Sequence, residues 1–205
     1  MAVLAANNLP DRVADVEALE ELLSRPSRAL IDDLAALKGD IIILGVGGKV
    51  GPCLARMAKR AAPEKRVVGV ARFTDTAVRQ RLEDWGVETI ACDLLDRDGV
   101  NALPQLPNVI YMAGKKFGTS GGEPFTWAMN AHVPALVAEA FAASRIVAFS
   151  TLCVYPFVDV TGPLCNEDVA PVPVGEYANS CVGRERIFQY FSQLQIGKRH
   201  RQPKL

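Results

Sequence analysis

The chain has 205 residues, 49% of them apolar, with 23 basic and 23 acidic side chains and a formal net charge of zero. That length suffices for one sizeable domain with a real core. The balanced charge offers no electrostatic case for nucleic acid or an acidic membrane as partner. Five cysteines are scattered without a C-x-x-C pair, which fits reduced thiols better than a disulfide framework or a zinc site. The opening "MAVLAANNLPD" lacks the basic region of a secretory signal, and no apolar run reaches the roughly 20 residues of a membrane span. A cytoplasmic, soluble protein without a metal site is the expectation.

Two short amphipathic helices come first. "DVEALEELLS" gathers Val16, Leu19, Leu22 and Leu23 on one face, and "SRALIDDLAALKG" gathers Leu30, Ile31, Leu34 and Leu37. Pro26 separates them, Ser27 is placed as an N-cap and Gly39 as a stop. Residues 1–39 therefore read as an N-terminal helical extension that must pack on the domain or on another subunit, because helices this short do not stand alone.

From Asp40 strands and helices alternate. "DIIILG", "RVVGVARF", "VETIACDL", "NVIYMAG" and "RIVAFST" read as strands, separated by helices at "PCLARMAKRAA", "TAVRQRLEDWG" and "EPFTWAMNAHVPALVAEAFAAS". "EYANSCVGRERIFQYFSQL" closes the series as a helix. Apolar strands alternating with helices predict an α/β fold, a Rossmann-type doubly wound parallel sheet over residues 40–193. No internal repeat is visible. Residues 194–205 are basic, lack apolar periodicity and read as a disordered tail.

"LGVGGKVGP" lies between the first strand and its helix, with Gly45, Gly48 and Gly51 spaced G-x-x-G-x-x-G and Gly47 in addition. Such a turn needs one glycine for its tightness, one to let backbone N–H groups approach a pyrophosphate, and one for close helix–strand packing. Gly45, Gly47, Gly48, Lys49, Val50 and Gly51 are thus the candidate dinucleotide cradle, against the plainer reading of a tight connection. No G-K-[ST] follows, so Lys49 is not a triphosphate-binding lysine. An NAD site usually presents an acid about 20 residues further on. Ala71 and Arg72 stand there instead, which favours NADP over NAD, unless Arg72 is only a solvated strand end. Asp93, followed by Leu94, either accepts a hydrogen bond from the adenine amine or caps the next helix.

The stretch 145–180 contains Ser150-Thr151 at a strand end, Val154-Tyr155, then Glu167, Pro171, Pro173 and Tyr177. With the glycine loop, Asp93, Ala113 and Gly114 of "YMAG", and Asn130, this order resembles the extended short-chain dehydrogenase/reductase family, the NAD-dependent epimerase/dehydratases, over about residues 40–192. The resemblance implies that Thr151 hydrogen-bonds the substrate oxygen and that Tyr177 is the acid/base there. It implies further that Asn130 supports the site from the long helix and that Ala113 and Gly114 line the cofactor. It implies a small-molecule substrate such as a nucleotide sugar.

The family's Tyr-x-x-x-Lys ends here in Cys181, which cannot supply the cation that pulls the phenol's pKa down, and Pro156 replaces the glycine of "VYG". Arg184 is in line with Tyr177 on the helix but about 10 Å along its axis. Lys115 and Lys116 are either substitute cations or solvated loop charges. Cys181 is either a reactive thiol or inert packing, and Cys53, near the first helix N-terminus, is either a thiol with a lowered pKa or packing under the glycine loop. The family's chain continues with a further strand and a C-terminal region that this sequence does not show, so exposed apolar surface and a homo-oligomer are expected. Two functions stay open: an NAD(P)-dependent oxidoreductase, epimerase or dehydratase, and a non-catalytic NAD(P)-binding sensor. A shortened version of an active parent is a third reading.

Overall fold

A computed structural model describes residues 3–5 and 9–201, with side chains to residue 195. The elements follow the chain in the order α1 (Val16–Leu23), α2 (Arg28–Ala36), β1 (Ile41–Leu44), α3 (Gly51–Ala61), β2 (Val67–Ala71), α4 (Thr76–Asp84), β3 (Glu88–Ala91), α5 (Arg97–Asn101), β4 (Asn108–Tyr111), α6 (Glu123–Trp127), α7 (Val133–Ala140), β5 (Arg145–Ala148) and α8 (Gly175–Arg201). A π-helical turn, Ala128–His132, joins α6 to α7, and a 3₁₀ turn, Leu152–Val154, follows β5.

The five strands form one parallel sheet in the order β3-β2-β1-β4-β5. Ile41 pairs with Val67 on one side and Asn108 on the other, and Leu44 with Val70 and Tyr111. This is the Rossmann arrangement that the alternating sequence predicts. β1 is buried at all four residues, as a central strand covered on both faces must be.

The chain divides into two compact units. The first holds residues 1–93, 104–112 and 143–147, hence the sheet and α1–α4. On one sheet face Ile41, Ile43, Val46, Val67 and Val87 pack with Ala55, Ala58 and Leu82, and Leu34 and Leu37 join from α2 and the turn after it. α1 and α2 both lie against α3, so the N-terminal helices belong to the same compact unit as β1–β3 rather than forming a separate body. Glu21 of α1 fixes that docking through Arg56 at 3.1 Å and Arg60 at 2.5 Å, both on α3.

Ser27 caps α2 as expected, accepting a hydrogen bond from Leu30 N at 3.1 Å. The helix ends at Ala36, before Gly39. Gly39 serves the turn into β1 instead: its φ is +82°, and a Cβ there would fall 2.2 Å from Pro107 Cγ.

The second unit holds residues 94–103, 113–142 and 148 onward. The single long helix read from "EPFTWAMNAHVPALVAEAFAAS" is interrupted by the π turn, across which Val133 N–H bonds Ala128 O. Pro134 explains the widening, because it has no N–H to give the carbonyl of Asn130 in an α-helical pattern. α5 is an element the sequence reading did not resolve. Its N-cap is Asp96, which accepts from Asp98 N at 3.1 Å, so capping is not the role of Asp93. α8 runs through Arg201, where a tail from residue 194 was expected; residues 202–205 lie outside the described residues. Among the described residues no helix is long and apolar enough to cross a membrane.

Candidate functional site

In the first unit the candidate residues cluster at the β1–α3 turn. Gly45 has φ +93°, a left-handed conformation that favours glycine. A Cβ on Gly51 would meet Val46 O at 2.1 Å, so α3 can start this close to the strand only with glycine there. A Cβ on Gly48 would meet nothing nearer than Gly45 O at 3.7 Å. Packing therefore does not demand glycine at Gly48, and a backbone left this open is what close approach of a ligand would need. Gly47, Gly48, Lys49 and Val50 are exposed, and no side chain caps α3. The first-turn N–H groups and the positive end of an 11-residue helix thus face outward. These features fit a pyrophosphate.

β2 ends at Ala71, and Arg72, exposed, and Phe73, at φ +49°, follow it. No carboxylate stands at that strand end. Asp93 closes this unit two residues past β3, and Leu94, which opens the second unit, is buried.

In the second unit Ala113, Gly114, Asn130, Thr151 and Tyr177 belong to one neighbourhood centred on α8. Asn130 is fully buried in the π turn and uses its whole amide. Its Oδ1 accepts from Lys115 N at 2.8 Å and from Arg184 Nη2 at 2.9 Å. Its Nδ2 donates to Lys115 O and to Ser180 Oγ, both at 2.9 Å. Ser180 Oγ donates in turn to Tyr177 O at 2.7 Å. A satisfied buried network of this kind ties the segment after β4, the π turn and the first turns of α8 into one rigid support.

Arg184 is only 6% exposed and also donates from Nη1 to Phe149 O at 3.0 Å. Gly114 lies against it, since a Cβ there would fall 2.4 Å from Arg184 Nη2 and 3.0 Å from Asn130 Oδ1. The glycine after Ala113 is thus needed for the arginine. Helical spacing was the sequence signal for Arg184, but its partners are 35 and 54 residues away in the chain and left no trace in the sequence.

Tyr177 is half-buried, with Thr151, Cys181 and Cys153 in the surroundings of its phenol. Burial pushes the phenol above its ordinary value, the Thr151 hydroxyl opposes this, and the Cys181 and Cys153 thiols push it further up. Thr151 also accepts from Cys153 N at 3.3 Å, capping the 3₁₀ turn. Cys181 is fully buried, and burial raises its thiol while Arg184 pulls it down. The cation on this helix face therefore acts on Cys181. The loop lysines lie over aromatic rings, Lys115 Nζ 5.4 Å from Phe125 and Lys116 Nζ 5.4 Å from Phe117. Trp127 Nε1 donates to Glu176 at 2.6 Å beside Tyr177 in sequence, a contact the sequence reading missed.

The model of the NAD dependent epimerase/dehydratase family matches residues 41–197. The chain belongs to this family. Solved structures agree on the fold. MoeE5 in complex with UDP-glucose and NAD superposes with a TM-score of 0.64 at 23% identity, covering 75% of this chain and 49% of that one. UDP-glucuronic acid 4-epimerase from Bacillus cereus, in complex with UDP-glucuronic acid and NAD, gives 0.63 at 21% identity, covering 75% and 52%. WbmG from Bordetella bronchiseptica, in complex with NAD and UDP, gives 0.61 at 19% identity, covering 75% and 50%. This family member spans about half the length of those proteins. A comparison with curated sequences gives no match.

Proposed function

We propose that the chain binds a nicotinamide dinucleotide and acts as an NAD(P)-dependent oxidoreductase, epimerase or dehydratase on a hydroxyl/carbonyl carbon of a nucleotide sugar or similar small molecule. The observation that carries this reading is the glycine turn, whose outward first-turn N–H groups fit a pyrophosphate, in a chain that also places Thr151 in the surroundings of the Tyr177 phenol. The family match and the nucleotide-sugar complexes of similar structures support it.

The glycine loop from Gly45 to Gly51 would hold the pyrophosphate, Arg72 a 2′-phosphate, Asp93 and Leu94 the adenine end, and Ala113, Gly114 and Asn130 the nicotinamide side. The bound nicotinamide would exchange a hydride with the substrate carbon. Thr151 would hydrogen-bond the substrate oxygen and orient it toward Tyr177, which moves the matching proton. A phenol raised by burial is a good donor and a poor acceptor near neutrality, which favours the reducing direction there.

The second reading, a non-catalytic NAD(P)-binding sensor, is favoured by Cys181 where an ammonium would activate the tyrosine. Mass spectrometry of the ligand that co-purifies, followed by hydride-transfer assays with UDP-glucose and UDP-glucuronic acid, separates the two. Turnover that disappears in Tyr177→Phe supports the enzyme. Nucleotide binding without turnover by the parent on any such substrate supports the sensor.

Self-association belongs to the same proposal. Leu152, Phe157, Val160 and Leu164 are each at least 82% exposed within one connection, an apolar patch that invites a second copy. Light scattering should give a dimer or larger species. The free cysteines fit a reducing, cytoplasmic setting.

A further inference from the structure

We propose that Arg184 is a positioning residue: its guanidinium sets the spacing between the cofactor side of the candidate site and Thr151. The proposal rests on the reading of Ala113 and Gly114 as the nicotinamide side and of Thr151 as the group that orients the substrate oxygen.

Arg184 projects from α8 and is only 6% exposed. Its two terminal nitrogens serve two different stretches of chain. Nη1 donates to Phe149 O at 3.0 Å, two residues before Thr151. Nη2 donates to Asn130 Oδ1 at 2.9 Å, and that same oxygen accepts from Lys115 N at 2.8 Å, one residue after Gly114. One guanidinium thus joins the chain that follows β4 to the chain that follows β5. α8 holds the second stretch again one residue on, where Ser150 Oγ donates to the Glu185 carboxylate.

The shape of the side chain matters as much as its charge. A guanidinium is a rigid planar fork, so the separation of its two acceptors is set by covalent geometry. An ammonium is a point charge on a flexible stem and imposes no such spacing. Gly114 is fitted to the same joint: a Cβ there would fall 2.4 Å from Arg184 Nη2 and 3.0 Å from Asn130 Oδ1. The guanidinium is bonded at both ends, so it cannot turn aside from a methyl without giving up one acceptor. Hydride transfer needs the nicotinamide and the substrate carbon close to contact, and a misplacement of about 1 Å costs roughly a hundredfold in rate. Arg184 therefore acts on turnover through Gly114 and Thr151, without touching the reacting atoms.

The test is amide hydrogen exchange in the full chain, free of nucleotide, on the parent, Arg184→Lys and Gly114→Ala. Lys115 N–H, bonded to Asn130 Oδ1, reports the cofactor side. Val154 N–H, bonded to Thr151 O at 3.3 Å, reports the substrate side, and Phe141 N–H, bonded to Val137 O at 2.9 Å, is the control. The first two should exchange about ten- to a hundredfold faster in both variants, as the loss of a charge-assisted bond implies, with Phe141 unchanged. Acceleration at only one of the two amides, or equal acceleration at Phe141, overturns the proposal. So does an Arg184→Lys variant that exchanges like the parent, since charge alone would then suffice. With UDP-glucose and the reduced or oxidised nucleotide, kcat of Arg184→Lys should fall about tenfold or more while KM for the sugar stays within about twofold of the parent's. A raised KM at unchanged kcat overturns the positioning role. If the parent itself turns over no nucleotide sugar, the proposed activity falls, and the exchange rates alone decide whether Arg184 sets the spacing.

Discussion

On the proposed reading two glycines in one turn separate folding from binding at the level of single residues. Gly51→Ala would drive a methyl into Val46 O, a backbone atom that cannot rotate away. We expect a loss of about 1–3 kcal/mol in urea denaturation. Gly48→Ala meets ordinary contacts, so its melting temperature should stay near the parent's while NAD(P)H affinity falls. Equal behaviour of the two variants in both assays would contradict this division. On the same proposed reading Arg72 carries the choice of cofactor. A charge-assisted bond to a 2′-phosphate contributes about 1.5–3 kcal/mol, or roughly ten- to a hundredfold in favour of NADPH over NADH. Fluorescence titration of the parent and Arg72→Ala decides it, and unchanged NADPH binding in the variant would remove Arg72 from the site.

Among the elements, α1 depends on one carboxylate. Glu21 meets Arg56 and Arg60 on α3 and Arg25 on the turn after its own helix, at 3.1, 2.5 and 3.6 Å. Its hydrogen bond to Arg60, opposed by some burial and aided by all three guanidinium charges, holds the carboxyl below its usual value. Replacing it leaves three partly buried cations facing each other, so Glu21→Gln should cost about 1–2 kcal/mol at neutral pH. The sign with pH follows from linkage. A depressed folded value stabilises above the unfolded value of 4.5 and loses that contribution as pH falls through the folded one. Parent and Glu21→Gln stabilities should therefore converge as pH falls below the lowered folded value. A constant gap between their denaturation curves from pH 7 to pH 3 would show that Glu21 acts through packing alone.

For the whole molecule, two sets of groups bound stability at opposite ends of the pH scale. Glu21, Glu83, Glu88, Glu123 and Asp159 all have lowered values, chiefly through hydrogen bonds from Arg60, Thr89, Arg66, the backbone and Thr161 respectively. Cys53, Cys181 and Tyr177 have raised values, chiefly through burial. The carboxylates stabilise above their unfolded values of 4.5 and 3.8 and fail as pH falls through the folded ones. The thiols and phenol stabilise below their unfolded values of 9.0 and 10.0 and fail as pH rises through the folded ones. The melting temperature should be flat between these limits and fall on both sides. An alkaline fall that persists unchanged in Cys181→Ser would show that this thiol is not among its causes.

The order of strands and helices was legible because local chemistry fixes it. "IIIL" is buried at every residue, and such a run can only be a central parallel strand or a buried helix, between which the glycine turn decides. Ser27, Gly45 and Gly51 declared their turn and cap roles for the same reason: each acts within a few residues of itself. Where an apolar strand lies in the sheet is not local. "RIVA" reads like "IIIL", yet β5 ends the sheet order and leaves Val147 63% exposed. The candidate site divides the same way. Tyr177, Thr151 and Asn130 were visible as residue types in order, but their supporting contacts were not. Arg184 to Asn130 spans 54 residues, Asn130 to Ser180 spans 50, and the π turn that aims Asn130 depends on Pro134 four residues on. Spacing on one helix put Arg184 in line with Tyr177; only tertiary packing directed its charge to Cys181, because a guanidinium bonded to Asn130 Oδ1 and Phe149 O is held where those two acceptors meet.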